Sequence, residues 1–285
     1  MHSRRRLADD FRALGVAAGD LVMLHASVRA VGRVIGGPDQ IHLALKDALT
    51  PAGTLVMYAS CPDHYDEVGR GGLSAEDERV ILEHLPAFDA RTARAQRENG
   101  FLVECFRTWP DSRVNDHVAR FVVWGRQADQ LLAPQPWNDA FGRGSLLERF
   151  AGAGGRILLL GSDHDTVTFL HHAEHVVDIP GKRIARFRVP VLEDGRRVWR
   201  EMTEVDTSSR GAHPHWPDRF FARIVDTHLA RSRNSGGRVG DARAWILDAR
   251  ALLAFALDVM TRVAADRGAA ERLLDQEGGS RGKPA

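Results

Sequence analysis

The amino-acid sequence predicts an α/β protein whose central mixed β-sheet is largely buried and flanked by helices. Three observations lead to this fold class. The first sixty residues alternate helix, strand, loop, helix and strand patterns. The strand candidates are short, continuous apolar runs, which is typical of strands covered on both faces. The 285 residues, 44% hydrophobic and 27% charged, provide a large core for one domain or two closely joined lobes.

The opening elements follow from their local patterns. Arg5 to Leu14 has the spacing of a short amphipathic helix, and a glycine closes it. Asp20 to His25 is a compact apolar run that predicts the first strand, and a glycine-containing loop follows over 26–37. Pro38 then opens a helix, because a proline in the first turn lacks only an N–H that has no helical partner. Leu55 to Tyr58 predicts the second strand.

The rest of the chain predicts a flap, further strands and a terminal helix. Residues 73–100 are charged and poorly periodic apart from a helix around 78–85, so we expect a flap or insertion that serves binding. The other predicted elements are strands over 121–124 and 156–160, a hairpin over 183–191 and 196–204 with an Asp194-Gly195 turn, and an amphipathic helical region over 242–262. We expect a single domain over 1–270 and a disordered tail over 271–285.

Composition excludes several classes of protein. The formal net charge is only +1, unlike the strong basic excess of a nucleic-acid-binding protein. Two cysteines are too few for a disulfide framework and favour a reducing compartment. Acidic residues interrupt the N-terminus before any apolar signal region, and no stretch approaches the ~20 apolar residues of a membrane span. We therefore expect a cytoplasmic protein whose partners are neither nucleic acid nor membrane; the oligomeric state stays open.

The densest group of chemically versatile residues follows the predicted strand over 156–160. Ser162 or Asp165 can cap a helix that continues from Thr166. On that helix His171 and Glu174 are three residues apart and share a face. An imidazole beside a carboxylate, near the carboxyl end of a strand, is a candidate general base. A chain with 13 histidines also places some at this spacing by chance, so spacing alone leaves a structural role open.

A metal site is the alternative interpretation of this segment. Its potential ligands are Asp163, His164, Asp165, His171 and His172. Adjacent histidines on a helix point about 100° apart and do not easily share a metal ion. No HExxH motif and no nearby thiol accompany them. There is also no GxSxG elbow between a predicted strand and a helix, and neither cysteine has an evident triad partner, so covalent catalysis has little support.

Three other segments follow strands and carry polar side chains. The acidic segment 63–67 comes after the second strand, and Glu204 and Asp206 stand two residues apart at the end of the hairpin, on one side of a strand. Carboxylates in a cleft suit a polycationic ligand, although a solvated loop explains them equally well. The segment from His25 to Gly32 has small residues, a hydroxyl and one arginine, which suit a phosphate or a pantetheine chain.

Taken in order, these stretches resemble the aminoglycoside 3-N-acetyltransferase family, which is distinct from acetyltransferases of the GNAT fold. The matching stretches are LHASVRAVG (24–32), PAGTLVMYAS (51–60), FDARTA (88–93), GSLLERF (144–150), GGRILLLGSDHDTVTFLHHAEHVVDIPGKR (154–183), EVD (204–206) and VGDARAWILDARALLAFAL (239–257). The resemblance spans about residues 5–262. It implies the antibiotic N-acetyltransferase fold, a mixed sheet flanked by helices with a smaller α/β lobe or flap, and acetyl-coenzyme A as co-substrate.

The resemblance also implies roles for residues. His171 corresponds to the catalytic base, Asp206 would hold and polarise its imidazole, and Glu174 would line the same site. The expected aminoglycoside pocket comprises Asp63, Tyr65, Asp66, Glu67, Asp116 and Glu204. The expected coenzyme A contacts are Ser27, Arg29, Val31, Gly32, Thr166 and Thr168, and no metal is expected.

One stretch departs from the family pattern. Family members often carry R-S-x-H-P before the third strand, whereas this chain has Arg113-Val-Asn-Asp-His-Val118. Counting back from Gly125 places Asp116 where the histidine would stand and shifts His117 by one. A carboxylate there either tightens the binding of a cationic ring or has left the site, so the substrate range is open while the transfer chemistry is not.

The predicted reaction is acetylation of the 3-amino group of a 2-deoxystreptamine aminoglycoside, which confers antibiotic resistance. We expect direct transfer in a ternary complex, with a histidine general base contributing about 10²–10⁴-fold. Backbone N–H groups near a strand-to-helix turn would stabilise the oxyanion. The alternatives are an N-acetyltransferase of the same fold acting on another amine, a metal-dependent hydrolase, and a non-catalytic binding protein.

Overall fold

A computed structural model describes residues 1–208 and 211–274 of the chain. The strands are β1 (Leu21–Ala26), β2 (Thr54–Tyr58), β3 (Arg113–Val114), β4 (Phe121–Gly125), β5 (Arg156–Leu160), β6 (Ile184–Glu193), β7 (Arg196–Val205), β8 (Gly237–Val239) and β9 (Ala242–Asp248). The helices are α1 (Arg4–Ala13), α2 (Val28–Val31), α3 (Asp39–Leu49), α4 (Ala75–His84), α5 (Phe101–Thr108), α6 (Ala128–Leu131), α7 (Leu146–Gly152), α8 (Leu170–Val176), α9 (Phe220–Arg231), α10 (Ala249–Ala265) and α11 (Ala269–Leu274).

Within the described part of the chain, seven strands form a mixed sheet in the order β3-β4-β2-β1-β5-β9-β8. The three central strands β2, β1 and β5 are parallel, and β4 and β9 pair antiparallel on either side of them. The predicted α/β fold with a mixed sheet is therefore confirmed.

Helices cover both faces of the sheet, as the continuous apolar strands predict. Along β1, Leu21 and Met23 face the layer of α7, α8, α9 and α10, whereas Val22 and Leu24 face α1, α3 and α5. Side chains alternate between the faces of a strand, so a strand buried on both faces needs an apolar residue at every position.

The predicted hairpin is present as a separate two-stranded sheet, β6-β7. Asp194 and Gly195 both have positive φ, which is the backbone of the tight turn expected for an Asp-Gly pair. The predicted flap and the segment after β2 both pack on this hairpin: Phe88 N donates to Pro190 O (2.7 Å), and Arg188 N donates to Val68 O (2.8 Å). Hairpin and flap share a third, smaller apolar cluster with Cys61.

Three local predictions are corrected. Residues 242–248 form the strand β9, and a helix begins only at Ala249, because Ala242, Ala244 and Leu247 pack as strand residues and Asp248 caps the helix by accepting from Ala251 N. The helix predicted from Thr166 starts four residues later, after a single 3₁₀ turn. The loop over 26–37 contains the short helix α2.

Two further predictions concern the C-terminal tail and membrane-spanning helices. Residues 269–274, which include the start of the predicted tail, are helical, and the remainder of that tail lies outside the described residues. Among the described residues, no helix has the length and apolar character to cross a membrane.

The parallel strands meet at a crevice that positions the candidate site. The chain continues from β1 to β2 on one side, while β5 joins β1 on the other. The carboxyl ends of neighbouring strands that lead in opposite directions leave a crevice between their loops, which is where open α/β sheets bind ligands. His25, Tyr58 and Leu160 stand at or beside these ends.

Candidate active site

His171 and Glu174 form a hydrogen-bonded pair on α8. His171 Nδ1 lies 2.8 Å from Glu174 Oε2. The second carboxylate oxygen, Oε1, accepts from Trp216 Nε1 at 2.9 Å and from Ala212 N at 3.3 Å. The Glu174 side chain is only 2% exposed, whereas that of His171 is 24% exposed. Three donors therefore hold the carboxylate, and the carboxylate in turn orients a ring that reaches solvent.

This pairing determines which ring nitrogen can act as a base. A carboxylate oxygen only accepts hydrogen bonds, so Nδ1 carries the proton of the neutral ring and the lone pair is on Nε2. The assignment follows from the hydrogen-bond partner. Nε2 of His171 is thus the ring nitrogen that is available to accept a proton or a hydrogen bond from a ligand.

The two other histidines of α8 hold the turn beside His171. His172 Nδ1 donates to Phe141 O (2.7 Å), and His175 Nδ1 lies 2.7 Å from Asp139 Oδ1. The ring of Phe141 packs against His171 with centroids 5.4 Å apart and against His175 with centroids 5.7 Å apart. These contacts fix a phenyl ring as one wall of the site.

His171 opens onto a polar cleft of about 450 Å³. The walls come from α8, from the segment after β7 and from the segment that precedes α9. Thr207, Ser208 and Arg183 face it, together with Asp165 and Asp218. The cleft can accept a polar molecule beside the base.

Asp206, which the resemblance pairs with the imidazole, lies directly after β7. The hydrogen bond of His171 is to Glu174, whereas the Asp206 carboxylate accepts from Ser208 N at 2.9 Å. A short aspartate side chain immediately after a strand readily binds the backbone two residues on. Asp206 therefore shapes the turn that carries Thr207 and Ser208 into the cleft.

A second site of charge lies where the segment after β2 meets the hairpin, and we call it the acidic cleft: Asp66, Arg70 and Glu204. Arg70 Nη2 is 3.7 Å from Asp66 Oδ2 and 4.0 Å from Glu204 Oε1. Glu204 Oε2 is buried without a hydrogen-bond partner. The side chain of Asp66 is 42% exposed, and desolvation by the surrounding protein raises its pKa, against the opposing effect of Arg70.

Burial also raises the pKa of Glu204 to about 7, against the opposing effect of Arg70. Tyr58 borders both sites. Its ring lies 5.8 Å from that of Phe141, its hydroxyl contacts Ser60 at 3.2 Å, and burial raises its pKa, with the charges of Asp66 and Glu204 adding to the effect. His171 and the acidic cleft are thus connected through the contacting rings of Phe141 and Tyr58.

The other predicted substrate residues are placed differently. Asp63 is exposed, Glu67 binds His64 N within its own loop (2.9 Å), and Tyr65 packs on Phe88. Of the segment 63–67, it is Asp66 that faces Glu204. Asp116 is exposed as well.

The residue after Asp116 is the one that turns inward. His117 is buried, its ring lies 4.6 Å from Trp137, and its Nδ1 accepts from Ala119 N (2.9 Å). Desolvation lowers its pKa to about 4, so it stays neutral. The shift of one residue relative to the family pattern therefore keeps an imidazole inside and leaves the carboxylate outside.

The segment predicted to contact coenzyme A follows β1 at the crevice. Ser27 caps α2 by accepting from Ala30 N, and Arg29 is exposed. Gly32 has positive φ and lies against Asp241, where a Cβ would stand 2.0 Å from a carboxylate oxygen. Val31 is corrected: its side chain lies in the core, so it supports this segment from below.

The two threonines differ in exposure. Thr166 is exposed and donates to Asp163 O (2.6 Å), whereas Thr168 is buried. His25 was not singled out as a contact, but its Nε2 is buried without a hydrogen-bond partner at the end of β1. Desolvation lowers the pKa of this imidazole to about 4.

The potential metal ligands around His171 have separate partners. His164 pairs with Asp226, Asp163 with Arg219, and Asp165 accepts from Ala222 N. Within 1–208 and 211–274, no three His, Cys, Asp or Glu side chains are grouped to hold a metal ion.

Several residues of the site had no sequence signal of their own. Trp216, Phe141 and Asp139 come from loops distant in sequence, and Arg70 is one of 39 basic residues. The one available signal was His175, which stands four residues after His171 and therefore lies on its helical face.

Comparison with known proteins identifies the family to which the chain is similar. The family model for aminoglycoside 3-N-acetyltransferases matches residues 23–261. The chain is 42% identical over 257 residues to aminoglycoside N(3)-acetyltransferase III of Pseudomonas aeruginosa, covering 90% of this chain and 92% of the relative. It is 39% identical over 264 residues to aminoglycoside N(3)-acetyltransferase VIII of Streptomyces fradiae, covering 90% and 91%.

Solved structures share the fold. A binary complex of AAC-IIIb with CoASH superposes with a TM-score of 0.85 at 38% identity, covering 92% of this chain and 97% of that chain. AAC-VIa bound to sisomicin superposes with a TM-score of 0.85 at 34% identity, covering 93% and 99%.

Proposed function

The chain belongs to the aminoglycoside 3-N-acetyltransferase family, and on that premise we propose that His171 is the general base that prepares the drug's 3-amino group for acetylation. The substrates are acetyl-coenzyme A and a 2-deoxystreptamine aminoglycoside, and acetylation of the drug confers resistance. The observation that carries this proposal is the 2.8 Å contact of His171 Nδ1 with the buried Glu174, which directs the basic Nε2 towards a polar cleft.

The chemistry requires such a base. An ammonium group has no lone pair, so a proton must leave before the nitrogen can attack a thioester. His171 Nε2 takes that proton, and Glu174 stabilises the resulting imidazolium at Nδ1. The amine nitrogen then bonds to the acetyl carbon while the carbon–sulfur bond breaks, and the nitrogen loses its second proton to give the neutral amide. Of the two protons released, the departing thiolate takes one, for which His171 is the donor, and the other passes to solvent. No acyl-enzyme is required.

Acetyl-coenzyme A supplies the activated acetyl group, and the segment after β1 is its proposed binding site. One structural feature supports the fit. His25 Nε2 is a buried polar atom without a partner at the end of β1, and an amide of a pantetheine chain is the kind of group that would satisfy it. Ser27 and Thr168 lie on segments bordering the same crevice, after β1 and β5. Gly32 lets the backbone turn there without a clash with Asp241.

The acidic cleft is the proposed site for the drug's remaining ammonium groups. We infer that two contacting rings, Tyr58 and Phe141, stand between these carboxylates and the base, because Phe141 packs on His171 and the charges of Asp66 and Glu204 act on Tyr58. Buried carboxylates raise the affinity for a polycation but also raise the pKa of a bound amine, which opposes its deprotonation. Placing them on the other side of an aromatic wall separates affinity from the nitrogen that must lose its proton.

The test is acetyl transfer itself. Thiol release from acetyl-coenzyme A is measured with sisomicin, and NMR of the product locates the acetylated nitrogen. We expect acetylation at the 3-amino nitrogen, and we expect His171→Ala to lose nearly all turnover while it still binds the drug in calorimetry. His84→Ala, which alters an exposed histidine, is the control. Acetylation of unrelated amines without any reaction at 3-amino aminoglycosides would contradict the proposed substrate.

A further inference from the structure

Arg70 is a cation inside a cleft that is proposed to bind cations. Its guanidinium carbon lies 3.8 Å from the centre of the Phe187 ring, and its Nε donates to Asp66 O at 2.5 Å. Its terminal nitrogen stands 3.7 Å from one carboxylate of the cleft and 4.0 Å from the other. These last two distances are longer than hydrogen bonds, so Arg70 balances the charges of the carboxylates without binding either of them tightly.

Glu204 shows that this balance is incomplete. One of its oxygens is buried without a hydrogen-bond partner, although the residue is more than nine-tenths buried. The groups facing it are Arg70 and Asp66 from the segment after β2, and Ala140 N–H and Asp139 from the turn beside Phe141. Among these, Arg70 supplies the positive charge. A buried carboxylate with an unused oxygen has the capacity to bind a further donor.

We propose that Arg70 is a built-in counter-ion whose guanidinium occupies the space between Asp66 and Glu204 until an ammonium group of the substrate takes it. The inference rests on the proposed function, because it assumes that this cleft receives the aminoglycoside. An ammonium group is compact and carries three donors, so it can reach the unused oxygen of Glu204 that the guanidinium does not. The stem of Arg70 remains on Phe187 while its charged end moves aside.

Arg70 would then set specificity by competition. In the resting enzyme it prevents two neighbouring carboxylates from facing each other unbalanced. A ligand with one weak positive charge would not displace it, whereas a polycation held at several points would. Arg70 thus raises the threshold of positive charge that a ligand needs for entry.

The experiment is calorimetric titration of sisomicin into the full-length wild-type protein, Arg70→Gln, Arg70→Lys and the control Arg186→Gln, which removes an exposed charge from the same hairpin. At pH 8.5, above the pKa of about 7 of Glu204, we expect Arg70→Gln to bind sisomicin about fivefold more tightly than wild type, with a steeper dependence on salt. We expect Arg70→Lys and Arg186→Gln to bind as wild type does. At pH 6.5 the gain should disappear, because Glu204 without its counter-ion takes up a proton.

A second variant removes the Glu204 carboxylate, for which Arg70 and the drug are proposed to compete. In the double variant Arg70→Gln/Glu204→Gln the gain at pH 8.5 should be absent, since the carboxylate that the drug was to reach is gone. If Arg70→Gln does not fold, Arg70→Met keeps the apolar contact with Phe187 and makes the same test. Weaker or unchanged binding in the variant that lacks the charge would overturn the inference and leave a purely structural arginine.

The outcomes separate the two proposals. Absence of sisomicin binding to the wild-type protein at either pH would overturn the proposed function and this inference together. Binding and acetylation by the wild type, with no gain on removal of the Arg70 charge, would overturn the role of Arg70 alone.

Discussion

Replacing Glu174 by glutamine keeps the size and shape of the side chain but removes the carboxylate that supports the proposed base. The amide has the shape of the carboxylate but one of its two positions becomes a donor. Three donors converge on this group: His171 Nδ1 on one oxygen, and Trp216 Nε1 with Ala212 N on the other. The amide can accept hydrogen bonds on one side only, and we expect its oxygen to face the side with the larger number of donors.

The structure predicts the orientation and the size of the effect. If the amide nitrogen faced Trp216 and Ala212, two buried donors would lose their acceptor, at about 1–3 kcal/mol each. We therefore expect the amide oxygen to face them and its NH₂ to face His171. The ring then accepts at Nδ1 and carries its proton on Nε2, so it cannot take a proton from substrate. Loss of a general base costs about 10²–10⁴-fold in rate, or about 2.7–5.4 kcal/mol.

The assay is steady-state thiol release with sisomicin and acetyl-coenzyme A. We expect kcat to fall by the full factor in Glu174→Gln, while the KM for acetyl-coenzyme A stays within about twofold. Glu201→Gln, which makes the same change at an exposed site on β7, should behave as wild type. A Glu174→Gln enzyme with kcat within threefold of wild type, measured beside an inactive His171→Ala, would refute the role assigned to the carboxylate.

Three further changes test the remaining site and the core. The KM of the wild-type enzyme for sisomicin should rise as the pH falls through about 7, because protonation of Glu204 removes an anion. In Glu204→Gln the KM for sisomicin should be about tenfold higher than that of wild type at pH 8, and it should not change between pH 6 and 8. Arg120 is fully buried and donates to the backbone carbonyl groups of residues 60, 90, 93 and 94. Arg120→Met should therefore lower the free energy of unfolding by about 3–5 kcal/mol in denaturant titration. Arg91→Met, which changes an exposed arginine, should have no effect. Burial lowers the pKa of Lys46 to about 8, so the folded state disfavours the ammonium form at neutral pH. We therefore expect Lys46→Met to raise the free energy of unfolding by about 1–3 kcal/mol at pH 7. This gain should shrink towards pH 10, because the lysine of the unfolded chain also loses its proton there. A gain independent of pH would show that packing alone was responsible.

Histidines in one short helix have different tasks in this protein. His171 reaches the cleft, while His172 and His175 bind the turn that carries Phe141. A helix turns about 100° per residue, so neighbours in sequence point to different partners, and residues four apart return to one face. The same periodicity that argued against a shared metal ion thus distributes a base and two supports.

Much of the fold could be predicted from the sequence because its signals are local. Apolar runs of four to six residues predicted β1, β2 and β5, and the Asp194-Gly195 pair predicted the turn of the hairpin, since few residues adopt positive φ at both positions. The pattern over 242–262 was ambiguous, because a short apolar segment fits both a strand and a helix. Pairing with β5, a tertiary contact, made its first third a strand.

The sequence by itself also determined the candidate base, since His171 and Glu174 share a helix and their separation of three residues fixes their proximity. Only the tertiary structure decided the rest of the site. Asp206, the partner expected from resemblance, binds its own turn, and donors from 212 and 216 hold Glu174 instead. Such contacts depend on how distant loops pack around the crevice, and no periodicity along the chain encodes that. The meeting of Asp66, Arg70 and Glu204 has the same origin, because the segment after β2 docks on a hairpin more than a hundred residues away in the sequence.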